Sequence, residues 1–351
     1  MNIAVEEVVG VLERVTHPAA GKQIVELNMV SDISIDGRRI AFTLTFAKAN
    51  DPMKNAIVKA CEKALRHYVS PDVETHIDVK TMQPHADKPP PQKRSLNAKN
   101  IIAVASGKGG VGKSTVAVNL AVALANMGYE VALLDADIYG PSVPKMLGAE
   151  GEKPDARGDE GQEIIVPLER YGVRTLSIGF FVSPKEAVIW RGPVATSAIR
   201  QLLYQGDWGE PDYMIIDLPP GTGDVHLTIV QELQVNGAII VSTPQEVALA
   251  DAVKGINMFQ TVNVPILGIV ENMAWFTPEE LPDNRYYIFG NGGAKELAKR
   301  EGIPLLGQIP IVQGICEGGD NGQPIAANQQ SINGKAFMEL ASNLIEAITC
   351  P

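Results

Sequence analysis

One short glycine-rich segment constrains this sequence more than any other. Residues 107–115 read Gly-Lys-Gly-Gly-Val-Gly-Lys-Ser-Thr, directly after an apolar run at 101–105. The spacing matches Gly-x-x-x-x-Gly-Lys-Ser/Thr, a loop between a strand and a helix whose backbone N–H groups surround phosphate. A helical pattern follows it, with apolar residues at Val116, Leu120, Ala123, Leu124 and Met127. This context favours a phosphate-binding loop over a merely flexible glycine-rich turn.

The loop predicts roles for individual residues. Lys113 is expected to reach the β- and γ-phosphates, and Ser114 to offer its hydroxyl to Mg²⁺. The predicted nucleotide-binding residues are Gly107, Lys108, Gly109, Gly110, Val111, Gly112, Lys113, Ser114 and Thr115.

Two further apolar runs end in acidic residues. The run at 131–135 ends at Asp135 and is followed by Asp137, and the run at 213–217 ends at Asp217 and is followed by Gly221. Taken singly, such acids are more often helix caps or turn residues. At the carboxyl ends of parallel strands, however, they face the ligand crevice of an α/β sheet. We therefore expect Asp217 to hold Mg²⁺ through water and the N–H of Gly221 to approach the γ-phosphate.

Length and composition predict a globular protein of two domains. The chain has 351 residues, 45% of them apolar, and a net charge of −11. That charge argues against nucleic acid as a partner, because backbone binding depends on lysine and arginine. No apolar run approaches the length of a membrane span, and Glu6 and Glu7 do not suit a signal peptide. Three scattered cysteines indicate a reducing cytoplasm rather than a disulfide framework.

A stretch rich in proline and lysine at 83–99 predicts a linker between a small domain at 1–82 and a larger one at 100–351. In the small domain we expect a helix near Val5, strands at 24–35 and 39–46, a second helix from Asp51-Pro52 and a strand at 73–79. The turn Asp36-Gly37 favours a hairpin. This is an α+β arrangement.

The larger domain alternates strand and helix patterns. Further strands are expected at 173–178, 238–242, 266–270 and 303–309. Alternation of this kind predicts an α/β fold, a P-loop NTPase with a mostly parallel, doubly wound sheet and helices on both faces.

Several segments resemble the deviant P-loop ATPases, the class of MinD, ParA and the nitrogenase iron protein, and within it the Mrp/ApbC iron–sulfur cluster carriers. They are Lys108, which lies beside the first loop glycine, and the runs at 137–144, 190–193, 217–224, 242–246, 270–273 and 288–290. The resemblance implies that Lys108 reaches phosphates bound by a second subunit, although a solvated lysine is the alternative. It also implies that Asp137 orients the attacking water, that Asp135 lies near the metal, and that Asn272 contacts adenine and so favours ATP.

One departure concerns the iron–sulfur cluster. Members of that family carry a Cys-x-x-Cys pair shortly after the Glu-Asn-Met segment, and thiolates are the ligands that clusters need. The stretch at 274–285 has no cysteine, and Cys316 and Cys350 are single. The small domain resembles iron–sulfur assembly factors but lacks their cysteine before the second helix. Cys61 fits core packing better than chemistry.

Three functions remain open on this basis. The first is an ATP-hydrolysing homodimer that, with iron–sulfur assembly proteins, loads clusters onto apoprotein clients. The second is an ATP-gated adaptor or scaffold in the same pathway with no cluster of its own. The third is a positioning ATPase resembling MinD or ParA, which needs a basic membrane-binding helix at the C-terminus. The stretch at 334–348 has one lysine and two glutamates, so no membrane partner is expected.

Overall fold

We describe the protein from a computed structural model. The description covers residues 5–18, 22–25, 27, 29–46, 53–81, 96–158, 163–181, 192–223, 226, 229–230, 235–278, 280–281 and 283–349. The predicted helix start at Asp51-Pro52, most of the predicted linker, Trp190-Arg191, Asp224 and Cys350 lie outside these residues. The chain divides into two compact units, Met1–Pro90 and Pro91–Pro351, and each is described by itself.

The first unit is a three-stranded sheet packed against two helices. Its elements are α1 (Val5–Leu12), β1 (Val30–Asp36), β2 (Arg39–Phe46), α2 (Lys54–Tyr68) and β3 (Glu74–Thr81). β2 is the central strand, antiparallel to β1 and parallel to β3. Alternate residues of β2 are buried, as expected of a strand with one face on a core. The core includes Leu12, Ile40, Phe42, Leu44, Phe46, Ile57, Cys61 and Leu65.

In this unit the structure departs from the sequence expectation for the first strand, and it places Cys61 in the core. The strand expected from residue 24 begins only at Val30, because Ile24 lies in a turn where its carbonyl accepts from Met29 N–H at 3.0 Å. The second helix spans Lys54–Tyr68, with Met53 as its N-cap. Cys61 is fully buried, and burial raises the pKa of its thiol to about 12. Such a thiol is unreactive and serves packing.

The second unit contains one large sheet and its flanking helices. Its strands are β4 (Asn100–Ala105), β5 (Val131–Asp135), β6 (Asp155–Arg157), β7 (Ile164–Val166), β8 (Leu168–Arg170), β9 (Val173–Ser177), β10 (Tyr213–Asp217), β11 (Gly237–Ser242), β12 (Ile266–Phe276) and β13 (Leu305–Ile311). Its helices are α3 (Lys113–Asn126), the single turn α4 (Val143–Met146), α5 (Gly192–Gln205), α6 (Glu246–Thr261), α7 (Gly293–Glu301), α8 (Gln313–Asp320) and α9 (Ile332–Thr349).

The large sheet has the strand order β13-β12-β11-β4-β10-β5-β9-β8. All neighbouring pairs are parallel except β8 and β9. Both faces are covered, because Ile102 and Val104 pack with α3 and α9, whereas Ile101 and Ala103 pack with α5, α6 and α7. The unit is therefore a mostly parallel, doubly wound α/β fold. The carboxyl ends of β4, β5 and β10 meet at one edge of the sheet.

Sequence pattern and structure differ at a few places in this unit. β12 runs to Phe276, well beyond the expected strand at 266–270, and the short strands β6, β7 and β8 were not expected. Lys99, assigned to the linker, belongs to this unit, since its N–H donates to the carbonyl of Pro211. The apolar stripe of α9, including Phe337 and Leu340, is buried. None of the described helices is both long enough and apolar enough to cross a bilayer.

Candidate functional site

Glycines shape the loop between β4 and α3. Gly110 and Gly112 have φ angles of 81° and 80°, in the left-handed region that glycine adopts without steric cost. Gly107 is required for a different reason, because a Cβ there would lie 2.2 Å from the backbone carbonyl carbon of Asp251. Gly109 and Gly110 are exposed. The loop thus leaves backbone accessible at the N-terminus of α3, where N–H groups and the helix dipole attract phosphate.

Lys113 begins α3 and its ammonium group is buried among acids. Its Nζ donates to Oδ1 of Asp217 at 2.5 Å and to Oγ of Ser114 at 3.1 Å. Oδ2 of Asp137 lies 3.8 Å from the same nitrogen. The structure therefore brings together four residues that the sequence predicted for one site.

Asp135 and Asp217 lie directly opposite each other at the ends of β5 and β10. Oδ2 of Asp135 accepts a hydrogen bond from Oγ of Ser177 at 2.8 Å, and its Oδ1 accepts from the N–H of Asp137 at 3.1 Å. Burial, reinforced by repulsion from Asp217, raises the pKa of Asp135 to about 8. Burial also raises the pKa of Asp217, and the charge of Lys113 opposes that shift.

These carboxylates suit a hard divalent cation. Oδ2 of Asp217 is buried and, within the described part of the chain, has no hydrogen-bond partner. Together with the hydroxyl of Ser114 and the carboxylate of Asp135, it forms a set of oxygen donors, which Mg²⁺ prefers. A buried, partly unsatisfied carboxylate pair is costly unless a cation compensates it. The residues present therefore fit Mg²⁺.

The loop after β10 is held by two hydrogen bonds. Gly221 has a φ of 98°, and its N–H donates to the carbonyl of Ser106 at 2.9 Å. His226, fully enclosed, places Nε2 2.5 Å from the carbonyl oxygen of Pro219. Burial lowers the pKa of His226. Its Nε2–H is the donor in this contact, because a carbonyl oxygen can only accept. The sequence analysis did not single out His226, although a histidine two residues after the run at 217–224 offered a signal.

Asn272 and Lys108 occupy different positions relative to this loop. Asn272 is buried, and its Nδ2 donates to the carbonyl of Val111 at 2.8 Å. Its side chain thus supports the phosphate loop directly, and the contact with adenine stays a prediction. Lys108 is partly exposed at the rim of the loop, where its carbonyl accepts from Oγ of Ser106 at 2.9 Å. Ser114 and Thr115 are partly exposed at the start of α3.

At the end of β12, residues 275–276 contact residues 285–286, and none of these four is a cysteine. Phe276 and Tyr286 exchange two backbone hydrogen bonds of 2.8 Å each, and the guanidinium of Arg285 lies 4.2 Å from the ring centroid of Trp275. Cys316 is exposed on α8, with Sγ 3.9 Å from Oδ2 of Asp320. Among the described residues, no three His, Cys, Asp or Glu side chains are grouped as a metal site. The described residues do not fit a cluster held by a thiolate pair.

Two family profiles match the sequence of this chain. Residues 97–345 match the ParA family profile described as NUBPL iron-transfer P-loop NTPase. Residues 5–79 match a profile described as iron–sulfur cluster assembly protein. The "Iron-sulfur cluster carrier protein" of Synechocystis sp. is 46% identical over 345 residues, which cover 97% of each chain.

Two solved structures are similar to the second unit. A nucleotide-binding protein from Archaeoglobus fulgidus in complex with ADP has a TM-score of 0.59 and 40% identity, over 69% of this chain and 93% of its own. The cell division ATPase MinD of Pyrococcus furiosus has a TM-score of 0.52 and 26% identity, over 71% of this chain and 99% of its own. On the profile match and the similarity to the Synechocystis protein, the chain belongs to the family of NUBPL iron-transfer P-loop NTPases.

Proposed function

We propose that this protein binds and hydrolyses ATP as a homodimer and uses the cycle to deliver iron–sulfur clusters to apoproteins in the cytoplasm. The observation that carries the ATPase part is the contact of Lys113 with Asp217 beneath a glycine loop, beside Ser114 and Asp135. The names of the relatives support the carrier part. The free thiols of Cys61 and Cys316 suit a reducing compartment.

The geometry supports a sequence of events at the nucleotide loop. Lys113 leaves Asp217 to contact the β- and γ-phosphates of ATP. Asp217 and Ser114 would hold Mg²⁺, which would neutralise charge on the phosphates. The N–H of Gly221 donates to the carbonyl of Ser106, the residue just before the phosphate loop. On ATP binding it exchanges this hydrogen bond for one to the γ-phosphate.

Hydrolysis follows from the position of Asp137. Its carboxylate lies beside Lys113 and orients the attacking water. The water oxygen bonds to the γ-phosphorus while the bond from that phosphorus to the β–γ bridging oxygen breaks. The proton from water passes to the released phosphate, so the products are ADP and phosphate. Lys108 of a second copy adds positive charge to the transition state, as an arginine finger does. Loss of the γ-phosphate releases Gly221, so the loop after β10 can return to Ser106 and change the shape of the dimer.

The absence of cysteine from 274–285 favours a second candidate, an ATP-gated adaptor that carries no cluster. Its small first unit would then dock partners from the assembly pathway. The two candidates differ in iron content alone, because both need the same nucleotide site.

Anaerobic reconstitution of the full chain distinguishes them. The protein is incubated with iron and sulfide, desalted, and examined by visible absorption and by iron and sulfide counting. A carrier gives a stable absorption band and about two or four iron atoms per dimer, the content of the common cluster types. Cys316→Ser is compared in parallel, since Cys316 is the exposed thiol of the described residues. Wild-type protein without bound iron would support the adaptor, and failure to bind ATP would reject both candidates.

A further inference from the structure

Met273 has a backbone conformation that is rare inside a strand. Among the described residues, three non-glycine residues have a positive φ: Tyr171 at 53°, Asn263 at 56° and Met273 at 56°. Tyr171 lies in the turn before Gly172, and Asn263 follows the end of α6, where such angles are common. Met273 instead lies inside β12. A left-handed residue in a strand costs about 1–3 kcal/mol and persists only where its surroundings impose it.

The unusual angle changes where two side chains point. The pairing of β12 with β13 shifts register between Asn272 and Phe276. Successive side chains of a regular strand point to opposite faces, yet here both reach the same glycine. A Cβ at Gly112 would lie 2.2 Å from Nδ2 of Asn272 and 3.8 Å from Cε of Met273. The side chains of Asn272 and Met273 therefore both lie beside Gly112, the loop residue that precedes α3.

The same strand continues to Phe276, where residues 275–276 contact residues 285–286. Ala274 is buried, Trp275 is covered by the guanidinium of Arg285, and Phe276 is bonded to Tyr286. Two residues thus separate the phosphate-loop contact of Asn272 from the cation–π contact of Trp275. A shift of one residue in a close-packed interior displaces the residues packed against it, because there is little free volume between them.

We propose that Met273 is a positioning residue that couples the phosphate loop to the paired residues 275–276 and 285–286. Its left-handed backbone holds Asn272 against Val111, and its thioether packs beside Gly112. When phosphates draw in the N–H groups of the loop, Gly112 moves against Met273 and the strand shifts the contact of Trp275 with Arg285. The inference rests on the proposed function in one respect, that this loop binds a nucleotide. It deepens that function by naming the surface through which nucleotide state is reported.

Fluorine NMR of the full chain labelled with fluorotryptophan tests the coupling. The chain has three tryptophans, and Trp275→Phe identifies the signal of Trp275. Mg²⁺-ADP is titrated while calorimetry on the same sample records nucleotide uptake. We expect the Trp275 signal to shift on saturation. Trp208 is buried, with Nε1 bonded to the carbonyl of Leu203 at 3.1 Å, so its signal reports folding and should stay in place.

Two substitutions at one position give the decisive comparison. Met273→Gly relieves the backbone constraint and removes the thioether, whereas Met273→Leu keeps a side chain of similar volume. At saturating ADP, verified by calorimetry on the same sample, we expect Met273→Gly to lose more than about half of the Trp275 shift. Met273→Leu should keep that shift.

The outcomes separate the two proposals. Nucleotide uptake without a Trp275 shift in wild type overturns the coupling and leaves the ATPase intact. A full Trp275 shift in Met273→Gly overturns the role of Met273. Absence of nucleotide uptake in wild type overturns the proposed function, and the coupling with it. An unchanged Trp208 signal in each variant shows that the comparison is made on folded protein.

Discussion

Nζ of Lys113 lies 2.5 Å from Oδ1 of Asp217, and both side chains are almost completely buried. The lysine of the phosphate loop is therefore the counter-ion of the carboxylate at the end of β10. A buried pair of this kind is strongly destabilised when one partner is removed. If a triphosphate binds Lys113, Asp217 loses its counter-ion and needs another cation. Triphosphate binding is therefore linked to binding of a divalent ion at Asp217.

Replacing Lys113 by alanine tests that relationship. We expect Lys113→Ala to weaken Mg²⁺-ATP binding by at least about 100-fold, because one charge-assisted contact to phosphate contributes about 3 kcal/mol or more when desolvated. Isothermal calorimetry measures the binding. Lys254→Ala is the matched control, since Lys254 is 68% exposed and pairs with Asp251 at the surface. Wild-type affinity in Lys113→Ala would contradict the assignment of this loop.

Lys108 is expected to act on the site of a second copy. Lys108→Ala should bind ATP normally and lose at least about tenfold in turnover, below the range known for arginine fingers. Mixing Lys108→Ala with Lys113→Ala provides the stronger test. In a mixed dimer the first subunit binds ATP and the second supplies Lys108, so phosphate release should exceed that of either variant alone. A mixture no more active than its components would place Lys108 outside the partner's site.

Two loop glycines with the same backbone angle should tolerate alanine differently. Gly110 and Gly112 both have φ near 80°, and alanine there costs about 1–2 kcal/mol in strain. A Cβ at Gly110 meets open space, whereas one at Gly112 would lie 2.2 Å from Nδ2 of Asn272. Gly112→Ala should therefore lower the free energy of unfolding and the ADP affinity more than Gly110→Ala does. Equal losses in chemical denaturation and calorimetry would show that the contact with Asn272 is unimportant.

The raised pKa of Asp135 predicts a pH dependence of stability without ligand. Its ordinary pKa is 3.8 and the folded protein raises it to about 8. Between these values the folded state binds more protons than the unfolded state, so stability falls as pH rises. We expect the melting temperature at pH 8 to be lower than at pH 6 by at least about 2–4 °C, the shift for about 1 kcal/mol.

Asp135→Asn isolates this contribution, because asparagine resembles the protonated carboxyl in shape and charge. The variant should show a weaker decline of the melting temperature between pH 6 and 8 than wild type. Differential scanning calorimetry in matched buffers measures this change. If the melting temperature changed equally with pH in the two proteins, Asp135 would not titrate in this range.

His226 is expected to set the loop after β10 through its bond to Pro219. His226→Leu leaves that carbonyl without its donor, which costs about 1–3 kcal/mol, and should lower turnover by about tenfold with smaller change in ATP affinity. His226→Gln retains an N–H donor and should restore most of the turnover. Steady-state phosphate release, read as kcat and KM separately, measures both. Normal turnover in His226→Leu would contradict the proposal that His226 positions this loop.

Several features were predictable because they depend on neighbouring residues along the chain. The strands ending at Asp135 and Asp217 were predicted at their observed bounds, since each is a short apolar run that ends in a charge. The start of α3 at Lys113 follows from the glycine loop. By contrast, β1 was predicted too long, because Ile24 is apolar yet is buried from a turn rather than from a strand.

The contacts that give the site its chemistry were beyond the sequence pattern. Lys113 and Asp217 are 104 residues apart, and Asn272 and Val111 are 161 apart. Which strands lie side by side is decided by packing of the whole sheet, and local periodicity carries no information on it. The left-handed angle of Met273 and the bond of His226 to Pro219 also arise only from these distant neighbours.

By itself, the sequence determined a phosphate-binding loop, an alternating α/β pattern and acids at two strand ends, because glycine freedom, apolar periodicity and terminal charges act over a few residues. Only the tertiary structure decided that Lys113 pairs with Asp217, that burial raises the pKa of Asp135, and that Asn272 and Met273 lie beside Gly112. Those properties depend on burial and on distances between remote segments, which exist only once the sheet has closed around them.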